Sequence, residues 1–349
     1  MELTDNLNIK QFTSLRAPEK LKAELPETEA AAHVVAEARR QIEKILRRDD
    51  KRRMMIVGPC SLHDEEATLD YARRLLEAQK GCSEQVLIIM RAYFEKPRTT
   101  LGWKGMLYDP HLDGSYDLDM GIRKSRKLLC KISEMGLPCA TEFLDPIVPQ
   151  YLADLIAWAA IGARTTESQI HRQMASGLSM PIGFKNATDG NLAVAIDAIK
   201  AASSPHSFLG IDRNGQVIVA ETKGNKYGHL VMRGGTNGTN YSSEYVAFAE
   251  VLLGKTHIPN GIIVDCSHAN SHKNYKRQRE ALIDIADQVQ AGNASIAGVM
   301  LESFLGEGKQ SIGSAGGFKY GVSLTDSCVG WDETEELIQY MADSIQNSN

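Results

Sequence analysis

The sequence predicts a closed (β/α)₈ barrel, in which eight parallel strands alternate with helices around one core. Eight short apolar runs recur along the 349 residues, and none of them alternates polar with apolar positions. A continuous apolar run is typical of a strand buried on both faces, as in a parallel sheet. Helical patterns fill most of the gaps between the runs. In such a barrel the carboxyl ends of all strands meet at one mouth.

The eight runs each end at or near a polar or ionisable residue. In chain order they occupy residues 54–60, 86–93, 137–143, 160–166, 181–187, 229–235, 261–268 and 296–303. Their ends carry Cys60, Arg91, Glu142, Arg164, Lys185, Arg233, His268 and Glu302. Closure of the barrel would bring these side chains together in a single pocket.

Four of the helices between strands have clear apolar faces, over residues 64–79, 116–136, 189–202 and 333–345. Leu69, Leu75 and Leu76 share one face of the first helix. Gly136 is placed to end the second helix as a C-cap. These patterns are those expected of helices that cover the outside of a barrel.

Two segments extend the barrel. We predict that residues 1–45 form an N-terminal arm and a helix, which act in oligomerisation or regulation. Residues 46–349 are predicted to form the catalytic barrel. An inserted β-hairpin is expected at about 207–225, because apolar and polar residues alternate around Arg213-Asn214-Gly215. Residues 95–115 are too rich in glycine and proline for a helix, and long ordered loops at barrel mouths are usually functional.

Composition excludes several classes of protein. The net charge of −5 gives no basic field for nucleic acid. No apolar stretch reaches the ~20 residues that span a bilayer, and the first residues lack the apolar core of a signal peptide. Six cysteines occur without a C-x-x-C pair, which suits reduced thiols. We therefore expect a cytoplasmic enzyme with no nucleic-acid partner and no membrane partner.

Four residues at the mouth predict a metal site. Cys60, His268 and Glu302 end strands one, seven and eight, and Asp326 lies in the loop after strand eight. A thiolate, an imidazole and two carboxylates suit Mn²⁺, Fe²⁺, Co²⁺ or Zn²⁺ better than Mg²⁺ or Ca²⁺. A lone strand cysteine is more often a small core residue. The joint placement of four ligand types on one rim favours the metal site.

Six cations are predicted on the same rim, namely Arg91, Lys96, Arg98, Arg164, Lys185 and Arg233. Such a ring repels itself unless anions neutralise it, and arginine pairs in a bidentate manner with phosphate or carboxylate oxygens. Surface ion pairing is the alternative, but it explains Arg164 and Lys185 poorly, since both are placed inside apolar strands. Asp265, in VDCSH, is expected either to orient a neighbour or to contact the metal pocket through water. The cations predict a substrate with more than one anionic group.

Long motifs carry a resemblance to a known family. They are GPCSLHD (58–64), RAYFEKPRTTLGWKG (91–105), ATEFLDP (140–146), IGARTTESQIHR (161–172), GFKNATDG (183–190), MRGG (232–235), VDCSHANS (264–271), LESFLGEG (301–308) and SLTDSCVGW (323–331). Together they resemble class I 3-deoxy-D-arabino-heptulosonate 7-phosphate (DAHP) synthases through nearly the whole chain. The resemblance implies condensation of phosphoenolpyruvate with erythrose 4-phosphate and water, the first step of the shikimate pathway, with release of phosphate.

The resemblance also implies residue roles. The divalent metal would be bound by the four ligands already named. Phosphoenolpyruvate would meet Arg91, Lys96, Arg164, Lys185 and Arg233, with Glu142, Gly162 and Ala163 nearby. Erythrose 4-phosphate would meet Lys96, Pro97, Arg98 and Thr99, with Asp326 near its hydroxyls. Lys96 is the expected proton donor, and Glu142 and His268 are candidates for handling the attacking water.

Feedback inhibition by an aromatic amino acid is a further implication of the resemblance. The matching positions are Asp5, Asn6, Asp145, Pro149, Gln150, Leu178, Ser179, Phe208, Gly210 and Val219. Pro146 and Gly210 favour tyrosine as the inhibitor, because a glycine leaves room for a phenol hydroxyl. The arm suggests a homo-oligomer, either a dimer or a tetramer.

Two alternatives remain at this point. A related synthase would condense phosphoenolpyruvate with arabinose 5-phosphate, but KPRTT, GWKG and the hairpin argue against it. A non-catalytic barrel that senses an amino acid would not need the metal set and all six cations.

Overall fold

The computed structural model describes residues 4–313 and 317–348. Residues 1–3 of the predicted arm, and residues 314–316 and 349 of the predicted barrel segment, lie outside the described residues. The described residues form ten strands: β1 (Arg53–Gly58), β2 (Val86–Arg91), β3 (Cys139–Glu142), β4 (Trp158–Ile161), β5 (Ile182–Lys185), β6 (Ser207–Ile211), β7 (Val217–Glu221), β8 (Gly228–Met232), β9 (Ile262–Asp265) and β10 (Ile296–Glu302). Eight of them form a closed parallel barrel in the order β1-β10-β9-β8-β5-β4-β3-β2. The predicted (β/α)₈ barrel is confirmed.

The first two helices precede β1, and the later helices alternate with the barrel strands. The helices are α1 (Pro18–Glu24), α2 (Glu29–Arg47), α3 (Glu65–Cys82), α4 (Leu118–Glu134), α5 (Pro149–Leu152), α6 (Gln169–Gly177), α7 (Ala193–Ala202), α8 (Ser243–Lys255), α9 (Gln278–Gln290) and α10 (Trp331–Gln346). Side-chain caps fix several starts: Thr28, Asp64 and Asp117 each accept a hydrogen bond from a backbone N–H in the first turn. None of the helices in the described residues is long and apolar enough to cross a membrane.

Helix α2 closes the amino-terminal end of the barrel. Its residues Ile42, Ile45 and Leu46 belong to the same buried cluster as Met54 and Trp158, which lie on β1 and β4. The backbone N–H of Gly261, just before β9, donates to the carbonyl oxygen of Leu46 at 2.9 Å. Thus α2 is part of the barrel core, and the boundary predicted after residue 45 falls inside this helix.

The interior is filled by side chains of very different size. The Trp158 indole lies against Gly183 of β5, where a β-carbon would overlap the ring. The Trp158 indole N–H donates to Nε2 of His229, at 3.0 Å, and burial lowers the pKa of His229 to about 4. His229 is therefore a neutral acceptor inside the barrel, which shows that this end is a packed core and not a channel.

The fourth strand differs from its prediction. The apolar run 160–166 predicted a strand containing Arg164, but β4 ends at Ile161 and Arg164 lies exposed in the following turn. The carbonyl oxygen of Gly162 accepts hydrogen bonds from the backbone N–H groups of Thr165 and Thr166, which forms that turn. Arg164 therefore reaches the mouth from a loop. The argument that it sits within an apolar strand is wrong.

The hairpin is confirmed as an antiparallel pair, β6 and β7, outside the barrel. At its tip the carbonyl oxygen of Arg213 accepts from the backbone N–H of Glu19, at 2.8 Å. At its base the hydroxyls of Ser176 and Thr222 are 2.7 Å apart. The hairpin thus connects α1 to α6 along one flank of the barrel. Helix α1 was not predicted; Ala17 and Pro18 start it without a polar cap.

Candidate functional site

A cavity of about 370 Å³ lies at the carboxyl end of the barrel. Its lining comes from the ends of the strands and the loops that follow them. Every predicted cation of the mouth lines it, together with Pro97, Thr99, Glu142, Ala163, His268, Glu302 and Asp326. The closed barrel therefore brings together residues up to 235 positions apart, from Arg91 to Asp326.

Three predicted metal ligands are preassembled. One ligand atom from each of Cys60, Glu302 and Asp326 lies within 4.8 Å of the other two. His268 is the fourth: its Nε2 is 3.9 Å from Oε1 of Glu302. The Sγ atom of Cys60 is 3.5 Å from Oδ2 of Asp326. A soft thiol, an imidazole and two carboxylates at these separations fit a divalent transition metal.

Hydrogen bonds outside the ligand atoms hold this group in place. The hydroxyls of Ser61 and Thr325 are 2.8 Å apart, which ties the loop of Cys60 to the loop of Asp326. The buried side-chain amide of Gln278 donates to the carbonyl oxygen of Glu302 and accepts from its N–H, at 2.9 and 2.8 Å. Such partners orient metal ligands and restrict their motion. Gln278 was not identified from the sequence.

Lys96 links the metal group to the cations. Its Nζ is 3.0 Å from Sγ of Cys60 and 3.1 Å from the Cys60 carbonyl oxygen. Burial raises the pKa of the Cys60 thiol to about 12, and Glu302 adds to this, while Lys96 opposes it. Burial also disfavours the Lys96 ammonium, but Cys60, Glu302 and Asp326 outweigh it and raise the pKa of Lys96. Without metal, Cys60 is a thiol and Lys96 a cation, so metal binding must displace the thiol proton.

Arg91 is the most deeply placed cation of the pocket. It is fully buried, with Nη2 at 3.3 Å from Oε1 of Glu302 and its guanidinium 4.0 Å over the ring of Tyr93. Its buried Nε has no hydrogen-bond partner among the residues that the structure describes. A buried donor without a partner is costly, so this atom marks a place for an oxyanion of a ligand.

Lys185 and Arg233 lie farther around the mouth. The Nζ atom of Lys185 is 3.0 Å from Oδ2 of Asp265, and both side chains are buried. Lys185 and His268 outweigh the effect of burial and hold the pKa of Asp265 well below its ordinary value. Burial lowers the pKa of Arg233, with Asp265 opposing the shift. The carboxylate of Asp265 thus balances part of the positive charge of the pocket.

Three buried asparagines shape the Arg233 loop, and the sequence analysis did not identify them. Asn186 accepts from the backbone N–H of Arg233 at 2.8 Å, and Asn240 accepts from the N–H of Gly234 at 2.7 Å. Asn270 accepts from the N–H of Asn240 at 2.9 Å. Asn186 directly follows β5, but Asn270 and Asn240 come five and eight residues after the ends of β9 and β8, so no shared sequence position marks them. Together they fix the direction of the Arg233 side chain.

The loop after β2 begins buried and becomes exposed. Lys96 is buried, whereas Arg98 and Thr99 are exposed and Pro97 is half-buried. The preceding residue, Glu95, accepts from the backbone N–H groups of Leu144 and Asp145, at 3.3 and 3.1 Å. Burial nevertheless raises the pKa of Glu95 to about 8. The loop is therefore anchored to the loop after β3 through a residue that the sequence analysis did not identify.

Glu142 is a buried acidic residue that lines the cavity. It ends β3, and its Oε1 lies so close to Gly162 that a β-carbon at residue 162 would overlap it. Ala163, next in the chain, lines the same cavity. The absence of a side chain at Gly162 is thus what leaves room for the carboxylate.

The predicted regulatory residues lie on one flank, outside this cavity. The carbonyl oxygen of Arg16, in the arm, accepts from the Tyr151 hydroxyl at 2.6 Å, which places the arm beside the Pro149–Leu152 helix. On the hairpin, Phe208 and Gly210 are half-buried, whereas Val219 is exposed on the opposite face. Adjacent strand residues point to opposite faces, so Val219 does not join Phe208 and Gly210 within one chain. Leu178 is half-buried, and Ser179, Gln150, Asp5 and Asn6 are exposed.

A second depression, of about 670 Å³, opens at the other end of the barrel beside Arg48, Gln288 and Asn293. Glu250 is the one carboxylate among its lining residues. Catalytic residues of such barrels come from the carboxyl ends of the strands, so the smaller cavity is the candidate active site.

Known proteins resemble this chain over almost its full length. Two curated relatives from Escherichia coli (strain K12) are each 48% identical: a Phe-sensitive phospho-2-dehydro-3-deoxyheptonate aldolase, over 98% of this chain and 97% of the relative, and a Trp-sensitive one, over 99% of both. A solved structure of phospho-2-dehydro-3-deoxyheptonate aldolase from Francisella tularensis SCHU S4 superposes with a TM-score of 0.96 at 46% identity, covering 98% of this chain and 100% of that one. The sequence profile of the DAHP synthetase I family matches residues 26–339. The chain belongs to the DAHP synthetase I family.

Proposed function

We propose that this protein is a metal-dependent DAHP synthase. It would condense phosphoenolpyruvate with erythrose 4-phosphate and water, yielding 3-deoxy-D-arabino-heptulosonate 7-phosphate and inorganic phosphate in the first step of the shikimate pathway. The observation that carries the proposal is one cavity lined by Glu302, Asp326 and the cations Arg91 and Lys185. The thiol of Cys60 lies within 4.8 Å of a carboxylate oxygen of each of the two acidic residues. The reaction needs the metal ligands and the cations in one place, because it joins an aldehyde to a phosphorylated enol.

The cations would bind the anionic groups of phosphoenolpyruvate. Arg91, Lys185 and Arg233 surround the floor of the cavity, and Arg164 would close over the phosphate from its turn. Fixed donors around a leaving phosphate stabilise the charge that develops on it. The partnerless Nε of Arg91 would find its acceptor in this substrate. Pro97, Arg98 and Thr99, on the rim, would bind erythrose 4-phosphate.

A divalent ion bound by Cys60, His268, Glu302 and Asp326 would supply Lewis acidity toward the aldehyde oxygen. In the reaction, C3 of phosphoenolpyruvate forms a bond to the aldehyde carbon, water adds at C2, and phosphate leaves with cleavage of the C2–O bond. Lys96 would donate a proton to the aldehyde oxygen as it becomes a hydroxyl. Its raised pKa keeps it protonated before the reaction.

The water that adds at C2 loses a proton, and the resemblance offers Glu142 and His268 as acceptors. A His268 ring that binds metal through Nε2 and carries a proton on Nδ1 has no free lone pair, so Glu142 is the proposed acceptor. Glu142 lies beside Gly162 and Ala163, on the phosphoenolpyruvate side of the cavity. The ligand set suits Mn²⁺, Fe²⁺, Co²⁺ or Zn²⁺. A cytoplasmic location is part of the proposal, supported by six buried, unpaired cysteines.

Activity is tested with the purified chain after chelation and after addition of each of the four metals. We expect phosphate and DAHP to form from phosphoenolpyruvate and erythrose 4-phosphate only when metal is present. Arabinose 5-phosphate serves as the competing aldose and should react at least ~100-fold more slowly, since a site built for one substrate discriminates strongly. Preference for arabinose 5-phosphate would indicate the related synthase, and no phosphate release with any metal would indicate a non-catalytic barrel.

The role of Lys96 is tested by Lys96→Met. Loss of a general acid costs about 10²–10⁴ in rate, so we expect kcat to fall by that factor while metal content at saturation stays near wild type. Lys104→Met is the matched control: this lysine belongs to the same loop, but its side chain is exposed. A Lys96→Met enzyme with more than a tenth of wild-type kcat would remove Lys96 from the proton-donor role.

A homo-oligomer is also part of the proposal. The arm exposes Leu7, Ile9 and Phe12, and the hairpin exposes Leu209 and Val217, the last two each 78% accessible. Apolar side chains concentrated on two neighbouring segments are typical of an interface, here with a second copy. Deletion of residues 1–15 should lower the mass observed by sedimentation velocity. As a control, Tyr340→Ser replaces an exposed aromatic of α10 and should leave the mass unchanged. A full-length monomer would contradict the proposal.

Tyrosine is the proposed inhibitor. The names of the curated relatives reported above specify sensitivity to phenylalanine and to tryptophan. Inhibition by tyrosine would therefore distinguish this chain from them. Gly210 is half-buried on the face of the hairpin that carries Phe208, and a β-carbon there would lie 3.8 Å from side-chain atoms of Ala220 and Ile218. The missing side chain supports the proposed room for a phenol hydroxyl. Activity measured with equal concentrations of the three amino acids should fall most with tyrosine. Gly210→Ser should weaken that inhibition; stronger inhibition by phenylalanine would contradict the assignment.

A further inference from the structure

Asp265 joins the two halves of the cavity floor and has no role in the proposed chemistry. It ends β9, and its side chain is fully buried. Both carboxylate oxygens are used. Oδ1 accepts from the backbone N–H and the hydroxyl of Ser267, at 3.0 and 2.6 Å. Oδ2 lies 3.0 Å from Nζ of Lys185 and 3.0 Å from Nδ1 of His268.

This arrangement selects one form of the His268 ring. An ionised carboxylate only accepts hydrogen bonds, so the proton of a neutral imidazole beside it is placed on Nδ1. The Ser267 hydroxyl donates to Asp265, and its oxygen is 2.7 Å from the same Nδ1. The lone pair of the other ring nitrogen, Nε2, is then free on the side facing Glu302.

The backbone of this turn is held independently. His268 has φ of +55°, in the left-handed region that few residues other than glycine adopt. The side-chain amide of Asn270 donates to the Asp265 carbonyl oxygen, at 2.9 Å, and to the Met232 carbonyl oxygen. An unfavourable conformation persists only where its surroundings hold it. The turn therefore directs the His268 ring at Asp265 whether or not a ligand is bound.

We propose that Asp265 is a positioning residue, which holds His268 as the Nδ1–H tautomer with Nε2 open for metal and holds Lys185 in place for phosphate. The inference rests on the proposed function, because it takes His268 as a metal ligand. One buried carboxylate would thus set the geometry at both ends of the cavity. Carboxylates that bind the distal nitrogen of a ligating histidine raise metal affinity in this way.

The test measures the affinity of the chelated, full-length protein for Co²⁺ alone. Asp265→Asn keeps the size of the side chain but removes its charge, and we expect the dissociation constant for Co²⁺ to rise about 10–100-fold. The Michaelis constant for phosphoenolpyruvate should rise as well, since Lys185 loses its partner. Ser267→Ala keeps the carboxylate but removes one partner of Nδ1, so the dissociation constant for Co²⁺ should rise less than in Asp265→Asn.

Asp154→Asn is the matched control. Asp154 is a largely buried carboxylate paired with Arg126 at 2.8 Å, away from the cavity. This variant should lose thermal stability but keep wild-type affinity for Co²⁺. Wild-type affinity in Asp265→Asn would overturn the inference. So would an equal loss of affinity in Asp154→Asn, because the effect would then reflect general destabilisation.

A measurement on the unaltered chain covers the case in which Asp265→Asn does not fold. Nitrogen-15 NMR of metal-free protein labelled at histidine reports the tautomer of each ring, and His268→Asn identifies the His268 signals by their loss. We expect a protonated Nδ1 and an unprotonated Nε2; the opposite tautomer would overturn the inference. Failure of the proposed function is seen separately, as wild-type protein that binds no Co²⁺ or forms no DAHP.

Discussion

The need to give each buried cation a polar partner on the floor of the barrel mouth is the constraint on which the site depends. Arg91 meets Glu302, Lys185 meets Asp265, and Lys96 meets the Cys60 thiol. A buried charge without a partner would cost several kcal/mol, so each of these cations needs a partner in the absence of substrate. Two of the three partners are also proposed metal ligands. The cations and the metal donors therefore stabilise one another, and the cavity is formed before either substrate arrives.

Much of this arrangement is predictable from the sequence because a parallel barrel has a simple rule. Whatever ends its strands must share one mouth, so Cys60, Glu142 and Glu302 could be placed together without coordinates. The rule fails where an apolar run extends past the strand itself. Ala160 and Ile161 belong to β4, but the chain then turns at Gly162, and Arg164 arrives from the loop. An apolar run indicates which residues are buried, but it does not indicate where the pairing of the strand ends.

The supporting hydrogen bonds could not be predicted in the same way. Gln278 lies on α9 and fixes the backbone of Glu302, and Asn186 fixes the backbone of Arg233, 47 positions away. These contacts depend on where the tertiary structure places each helix and loop relative to the strand ends. A local sequence pattern does not indicate that placement. Glu95 is similar, since its two donors belong to the next βα loop. Polar residues of this kind resemble ordinary surface residues until the tertiary structure buries them.

Helix α2, which closes the barrel, can complete its packing only late in the synthesis of the chain. The helix precedes every barrel strand in the sequence, yet Ile42, Ile45 and Leu46 pack in one cluster with residues from β1 to β10, the last strand of the barrel. Its docking surface is therefore complete only after about 300 residues have left the ribosome. Until then its apolar face has no native partner and is a natural target for a chaperone. The first long helix to be synthesised is among the last elements whose packing can be completed.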